Sequence, residues 1–179
     1  MADKPSYLGL LNAIAVGECR GHALLECWSE TTQDTVLKQT LKVVAIRENE
    51  HAAAFEKRLC ELGYSVRQKP SEDFDRRMKV VASDVSDRQK FEDVLGYGKE
   101  SRDDPLSEIF KDKTIDVATG ELLGRFIAEE RDSGRRLKDA YARTTAEAAS
   151  TDSTLEDLSR RLDRLTRTIE ELKGLRRVV

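Results

Sequence analysis

Apolar residues along the first half of the chain recur three and four positions apart, the interval that puts side chains on one face of an α-helix. One run, over 34–63, sets Leu37, Leu41, Val44, Glu48, His51 and Phe55 on a single seam, with Leu62 beyond them. An earlier run, over 5–30, gives Leu8, Leu11, Ala15, Glu18, His22 and Leu25. Pro5 suits a first helical turn, and Thr31, Thr32, Gln33 and Asp34 supply a short turn and a cap before the second run. So short a connection predicts two antiparallel neighbours.

Each seam is interrupted by a carboxylate and an imidazole, and the two histidines involved are the only ones in the chain. Burying such groups is expensive unless they are paired or hold a metal. A fold-back centred near residues 32 and 33 places position 18 opposite position 47, so Glu18 falls level with Glu48 and His51. His22 lies one turn nearer the loop, roughly 6 Å along the axis at 1.5 Å per residue.

The second half predicts a helix from Ser71, carrying Phe74, Met78, Val81, Val85, Phe91 and Leu95 and interrupted around 83–86. It has no obvious seam carboxylate, and Asp84, Asp87 and Glu92 remain open as candidates. A turn-rich stretch and a short helical segment at 106–110 lead to a helix over 116–147, whose stripe is Leu123, Ile127, Glu130, Gly134, Leu137 and Tyr141. After a small, polar segment at 144–154, with Ser153 and Glu156 as a capping box, Leu155, Leu158, Leu162, Leu165, Ile169 and Leu172 form a heptad seam. The reading therefore divides the chain into a bundle over 1–149 and an amphipathic, coiled-coil-type helix over 150–179. That last helix is expected to make homo-oligomers or to dock a partner, with packing on its own bundle as the other solution.

Composition agrees with long amphipathic helices: 39% hydrophobic and 36% charged residues, with three prolines in 179. The net charge of −3 comes from well-mixed acids and bases and does not point to nucleic acid or to an anionic membrane. No apolar run reaches the roughly 18 residues of a membrane span, and the polar beginning does not read as a signal peptide. Cys19, Cys27 and Cys60 are too widely spaced for a zinc signature and are expected to be buried free thiols of a cytoplasmic protein.

A glutamate mid-way along one helix (Glu18) and a Glu-x-x-His on the next (Glu48, His51) resembles the first half of the ferritin-like di-iron carboxylate proteins, which include ferritins, bacterioferritins and rubrerythrins. The resemblance implies an all-α, ferritin-like antiparallel four-helix bundle, here with an additional C-terminal heptad helix. It also implies Glu18, Glu48, His51 and Glu130 as ligands of iron or manganese, with His22 as a near-shell ligand or proton carrier. The implied activity is that of an oxidase or a peroxide-handling protein. Ser133 stands where that superfamily places its second histidine, so the second half-site is either asymmetric, with Glu129, Asp132 or water filling in, or without metal function. No paired Cys-x-x-Cys knuckles, Gly-rich phosphate loop or nucleophile elbow is present. The competing expectation is a non-enzymatic helical scaffold whose buried acids and histidines fix helix register, with the C-terminal helix mediating association.

Overall fold

The computed structural model describes residues 5–98, 112 and 114–175, with the side chains of 147–154 and 165–175 outside the description. The chain is all-helical, and no strand occurs among the described residues. In order the helices are α1 (Leu8–Thr31), α2 (Thr35–Glu61), α3 (Glu72–Val81), α4 (Asp87–Val94) and α5 (Val117–Leu175). The segment expected to be helical at 106–110 lies outside the described residues. No helix among the described residues is long and apolar enough to cross a membrane.

Side-chain caps set most of the starts, because the first amides of a helix lack intrahelical acceptors. Asp34 accepts from Val36 N at 2.8 Å and Leu37 N at 3.1 Å to open α2. Ser71 accepts from Phe74 N for α3, and Ser86 from Gln89 N for α4. Asp116, just before α5, accepts from Thr119 N at 3.1 Å and also from Tyr7 Oη and Arg58 Nη2 at 2.5 and 2.8 Å. These donors, the Tyr7 hydroxyl first among them, hold the Asp116 carboxyl well below the usual carboxylate range. The start of α5 is thereby tied to the start of α1 and the end of α2. Gly63, at φ +81°, ends α2 in the left-handed conformation that a side chain would strain.

α1 and α2 fold back on each other: residue 22 meets 45, 21 meets 48 and 18 meets 51. The level inferred from the turn, 18 opposite 47, is thus about one turn from the contact seen, 18 with 51. Two apolar clusters fill the interior. One gathers Leu24, Leu25 and Trp28 of α1 with Leu37, Leu41 and Val44 of α2, Val81 of α3, Phe91 of α4 and Leu137 of α5. The other gathers Leu8, Leu11 and Ala15 with Phe55 and Leu59 of α2 and Leu123, Phe126 and Ile127 of α5. The residues that part them along each helix are Glu18, the pair Glu48 and His51, and Glu130.

The interruption expected near 83–86 is the turn between α3 and α4. The break expected at 144–154 is not there, since α5 continues through it to Leu175. That stretch contains neither glycine nor proline and includes three alanines, so nothing in it stops a helix. The chain divides into two compact units, Met1–Tyr141 and Ala142–Val179. In the second, Leu155, Leu158 and Leu162 are exposed. The cysteines are free as expected, but Cys19 and Cys60 are exposed, each one position past a buried residue (Glu18 and Leu59), and only Cys27 is half-buried.

Trp28 is fully buried, and its indole Nε1 donates to Asp87 Oδ1 at 2.6 Å, while Thr32 Oγ1 donates to Asp87 Oδ2 at 2.6 Å. One carboxylate thus fastens the first turn of α4 to the α1–α2 corner. Asp87→Ala leaves the indole N–H buried without an acceptor, and should lower stability by about 1–3 kcal/mol in denaturant unfolding. A midpoint unchanged in that variant would show that the indole finds another partner.

Candidate metal centre

Most of the side chains that break the apolar seams converge on one point, and His22 does not. Glu18 of α1, His51 of α2 and Glu130 of α5 each bring one ligand-type atom to within 4.8 Å of the other two. His51 is 4% exposed and Glu18 8%. His51 Nδ1 lies 3.0 Å from Glu18 Oε2 and 3.5 Å from Glu130 Oε1, the latter an ion-pair distance rather than a hydrogen bond. Glu130 Oε1 is buried without a hydrogen-bond partner. On the other side of the ring, His51 Nε2 lies 2.7 Å from Glu129 Oε2. Phe126 closes the ring edge-on, centroid to centroid at 5.1 Å.

Glu48 joins from α2, close enough to Glu18 and Glu130 for their charges to act on its carboxyl group. Its Oε2 lies against Gly21 of α1, where a methyl group would collide with it. Glycine inside a helix is unfavourable by roughly 1 kcal/mol relative to alanine, and here it leaves room for a carboxyl group.

Burial, with the repulsion of Glu18 and Glu130, pushes the Glu48 carboxyl up to about 9. Burial also raises Glu18 against the lowering influence of His51. Burial works the other way on His51, but the carboxylates of Glu130, Glu18 and Glu129 outweigh it and raise the imidazole to about 10. At neutral pH the cluster therefore holds an imidazolium between carboxylates, and a proton on Glu48.

His22 stands outside this group. Its Nδ1 lies 2.9 Å from the Ala45 carbonyl and its Nε2 3.3 Å from Glu26 Oε2, one turn on along its own helix. Of the candidates left open on the third expected helix, Asp87 holds Trp28 and Thr32, while Glu92 accepts from Arg88 and from the Tyr141 hydroxyl. Ser133 is buried, and accepts at 2.9 Å from Arg47 Nη1, which also reaches the Glu129 carbonyl at 3.0 Å and Asp132 Oδ2 at 3.1 Å. A guanidinium from α2 therefore occupies the place where the resemblance expects an imidazole. Arg47 is one position off the seam, and nothing in its spacing marks that role. Gly21 was detectable only as a glycine inside a helical pattern, which asks for a packing reason.

The donor set suits one first-row metal ion. Ligand atoms bound at about 2.1 Å lie roughly 3 to 4 Å apart, and the separations of His51 Nδ1 from Glu18 Oε2 and Glu130 Oε1, 3.0 and 3.5 Å, fall in that spread. Carboxylates with one imidazole suit iron or manganese. With Nε2–H directed at Glu129, loss of the Nδ1 proton leaves a lone pair facing Glu18 and Glu130, the arrangement by which an outer carboxylate orients a ligating histidine. No family model, curated protein or solved structure matches this chain.

Both large shifts give the same sign of pH dependence. Glu48 holds its proton more tightly folded (about 9) than free (4.5), so the stability linked to it declines as pH rises from 4.5 through 9. The contribution of His51 is complete below 6.5 and is lost as pH rises through about 10. The metal-free protein should melt at progressively lower temperature between about pH 6 and pH 9. Glu48→Gln, which keeps the shape and cannot ionise, should flatten that decline. An equally steep decline in the variant would place the titrating groups elsewhere.

Proposed function

We propose that this chain is a ferritin-like metal-binding protein, with α1, α2 and α5 as members of an antiparallel bundle around one iron or manganese ion. Glu18, Glu48, His51 and Glu130 would hold the ion, and Glu129 would orient the imidazole. The observation that carries this reading is the convergence of Glu18, His51 and Glu130 atoms within 4.8 Å, with a buried oxygen of Glu130 left without a hydrogen bond. Unpartnered buried carboxylate oxygens are costly and rarely persist without an ion, a water or a proton to satisfy them. A bound iron or manganese would supply redox chemistry and Lewis acidity, which suits an oxidase or a peroxide-handling protein. The chain's own contribution is positioning: Phe126 packs edge-on against the imidazole, and Glu48 and His51 hold the protons that an incoming cation must displace.

A single ion fits better than a pair. Arg47 already supplies a positive charge at Ser133, and a second cation beside it would be repelled at low effective dielectric. Arg47 and Asp132 hold each other, and burial outweighed by Arg136 and Arg47 leaves Asp132 at about 2, a carboxylate committed to guanidinium partners.

The second reading, a scaffold with a satisfied polar layer, rests on His51 itself. Its two nitrogens already meet Glu18 and Glu129 at 3.0 and 2.7 Å, so an imidazolium needs no metal to be neutralised. Under that reading the exposed leucines of the second unit carry the function, by self-association or by docking a partner.

Protein purified without chelators should contain about one iron or manganese per chain, with affinity rising with pH as bound protons are displaced. Glu18→Ala, His51→Ala and Glu130→Ala should each lose the metal with helical content retained. Glu129→Gln should weaken binding by about 10- to 100-fold, the range seen when an outer partner of a ligand is lost. Ser133→His alone should leave one ion per chain, whereas Ser133→His with Arg47→Leu should bind two. Elemental analysis decides: repeated absence of metal, or stoichiometry unchanged in all three alanine variants, supports the scaffold.

A further inference from the structure

The side of α2 turned away from the core carries aliphatic residues that the two apolar clusters do not use. Val36, Val43 and Ile46 are 51%, 46% and 59% exposed, although β-branched side chains are poor choices for an open helix surface. They stand seven and three positions apart and so share one face, on which the exposed Gln39, Glu50 and Ala53 continue the stripe. From Val36 to Ala53 the stripe rises about 26 Å at 1.5 Å per residue.

The two halves of the stripe differ in shape. The first half is a ridge of branched side chains. The second half is hollow, where a groove of about 400 Å³ lies between α2 and α5, with Ala53 and Ala54 on one bank and Leu122 and Phe126 on the other. A twofold axis crossing α2 between Val44 and Ala45 exchanges ridge and groove. It sets Val43 against the partner's Ile46, Gln39 against the partner's Glu50, and Val36 against the partner's Ala53 at the mouth of the groove.

Charge follows the same axis. Lys42 comes within three positions of the partner's Glu50, about 4.5 Å along the helix and within reach of a lysine. Neither Lys42 nor Glu50 is in an ion pair of its own chain among the described residues. Arg125, near Glu50, is bonded to Glu129 at 3.0 Å. Arg47, the cation level with the partner's Lys42, is turned into its own chain onto Asp132 at 3.1 Å. Ridge with groove and base with acid, both exchanged by one axis, is the self-complementarity of an isologous interface rather than of a surface for an unrelated protein.

We propose that two copies of this chain pair antiparallel through the outer face of α2, each placing Val36 in the other's groove. His51 also lines that groove, so the partner's Val36 covers the side of α2 and α5 from which the imidazole is approached. A face one helix wide is at the low end of specific interfaces, and the dimer is reversible, with a dissociation constant in the micromolar range. None of its contacts runs through a metal.

The test is sedimentation equilibrium of the full chain carrying Leu155→Lys and Leu158→Lys, which takes the exposed seam of the second unit out of play, from about 1 to 500 µM with a chelator present. A monomer–dimer equilibrium is expected. Ile46→Glu should weaken it at least about tenfold, and so should Ala53→Arg, which fills the groove from an exposed helical position and leaves helical content unchanged. Lys42→Glu and Glu50→Lys should each weaken it by about three- to tenfold, since every contact occurs twice about the axis. An equimolar mixture of those two chains should regain the parent affinity, because each reversed charge then meets its complement. The chelator keeps the result separate from the metal reading, whichever way that falls. A monomer throughout, an unchanged dimer in Ile46→Glu or Ala53→Arg, or reversed chains that pair as the parent does or fail to rescue each other would each overturn the proposal.

Discussion

A histidine shut between carboxylates in the middle of the helical core is the constraint on which the rest of the first unit depends. His51 meets Glu18 of α1 with one nitrogen and Glu129 of α5 with the other, so three helices are indexed to one ring. The apolar clusters on either side are less demanding, because aliphatic cores accept repacking at modest cost. A slip of one residue in α1 or α5 would leave an ion in the interior without its partner, and breaking a buried pair in that way costs about 3–5 kcal/mol. The aliphatic contacts supply most of the driving force, and the polar layer sets the register in which they form.

That layer is also the part of the molecule most legible in the sequence. Glu18, Glu48 and His51 stood out because they fell on seams where aliphatic residues belonged, and the brevity of the α1–α2 turn put them at one height. Glu130 was readable for the same reason on α5. The gap between α3 and α4 announced itself through the loss of periodicity between Val81 and Phe91. What was hidden is what depends on side-chain reach. Arg47 and Glu129 sit off the seams, yet a long guanidinium and a neighbouring carboxylate bend back to the layer, and spacing alone does not encode that reach. His22 shows the converse: it lies on the seam, but a backbone carbonyl of α2 and Glu26 of its own helix hold it short of the cluster. The unbroken course of α5 is not legible in the spacing, because the small polar residues at 144–154 carry no aliphatic seam, although none of them prevents a helix.

The layer is not symmetric. On the side of Glu130 one buried carboxylate oxygen has no hydrogen bond among the described residues. On the side of Ser133 the chain provides its own cation, Arg47, anchored on a carbonyl, a carboxylate and a hydroxyl. A side chain that is permanently charged cannot be displaced by a metal ion as a proton can. The two sides therefore differ in kind, one filled by covalent structure and the other held by exchangeable protons.

This difference bears on how an ion would be selected under the proposed reading. In the metal-free chain the protons on Glu48 and on His51 Nδ1 do the neutralising that a cation would otherwise do, so cation and protons compete for the same oxygens and the same nitrogen. Raised proton affinities at those groups (about 9 and about 10) disfavour every metal to the same degree at a given pH. What distinguishes metals is then the strength of the bonds they gain. A weakly bonding ion such as magnesium, which prefers to keep its waters, gains too little to displace two protons from the cluster. An ion that bonds imidazole as well as carboxylate recovers more, which favours iron or manganese over the alkaline earths. The protonated layer that stabilises the empty fold is, by this argument, also the filter on what enters it.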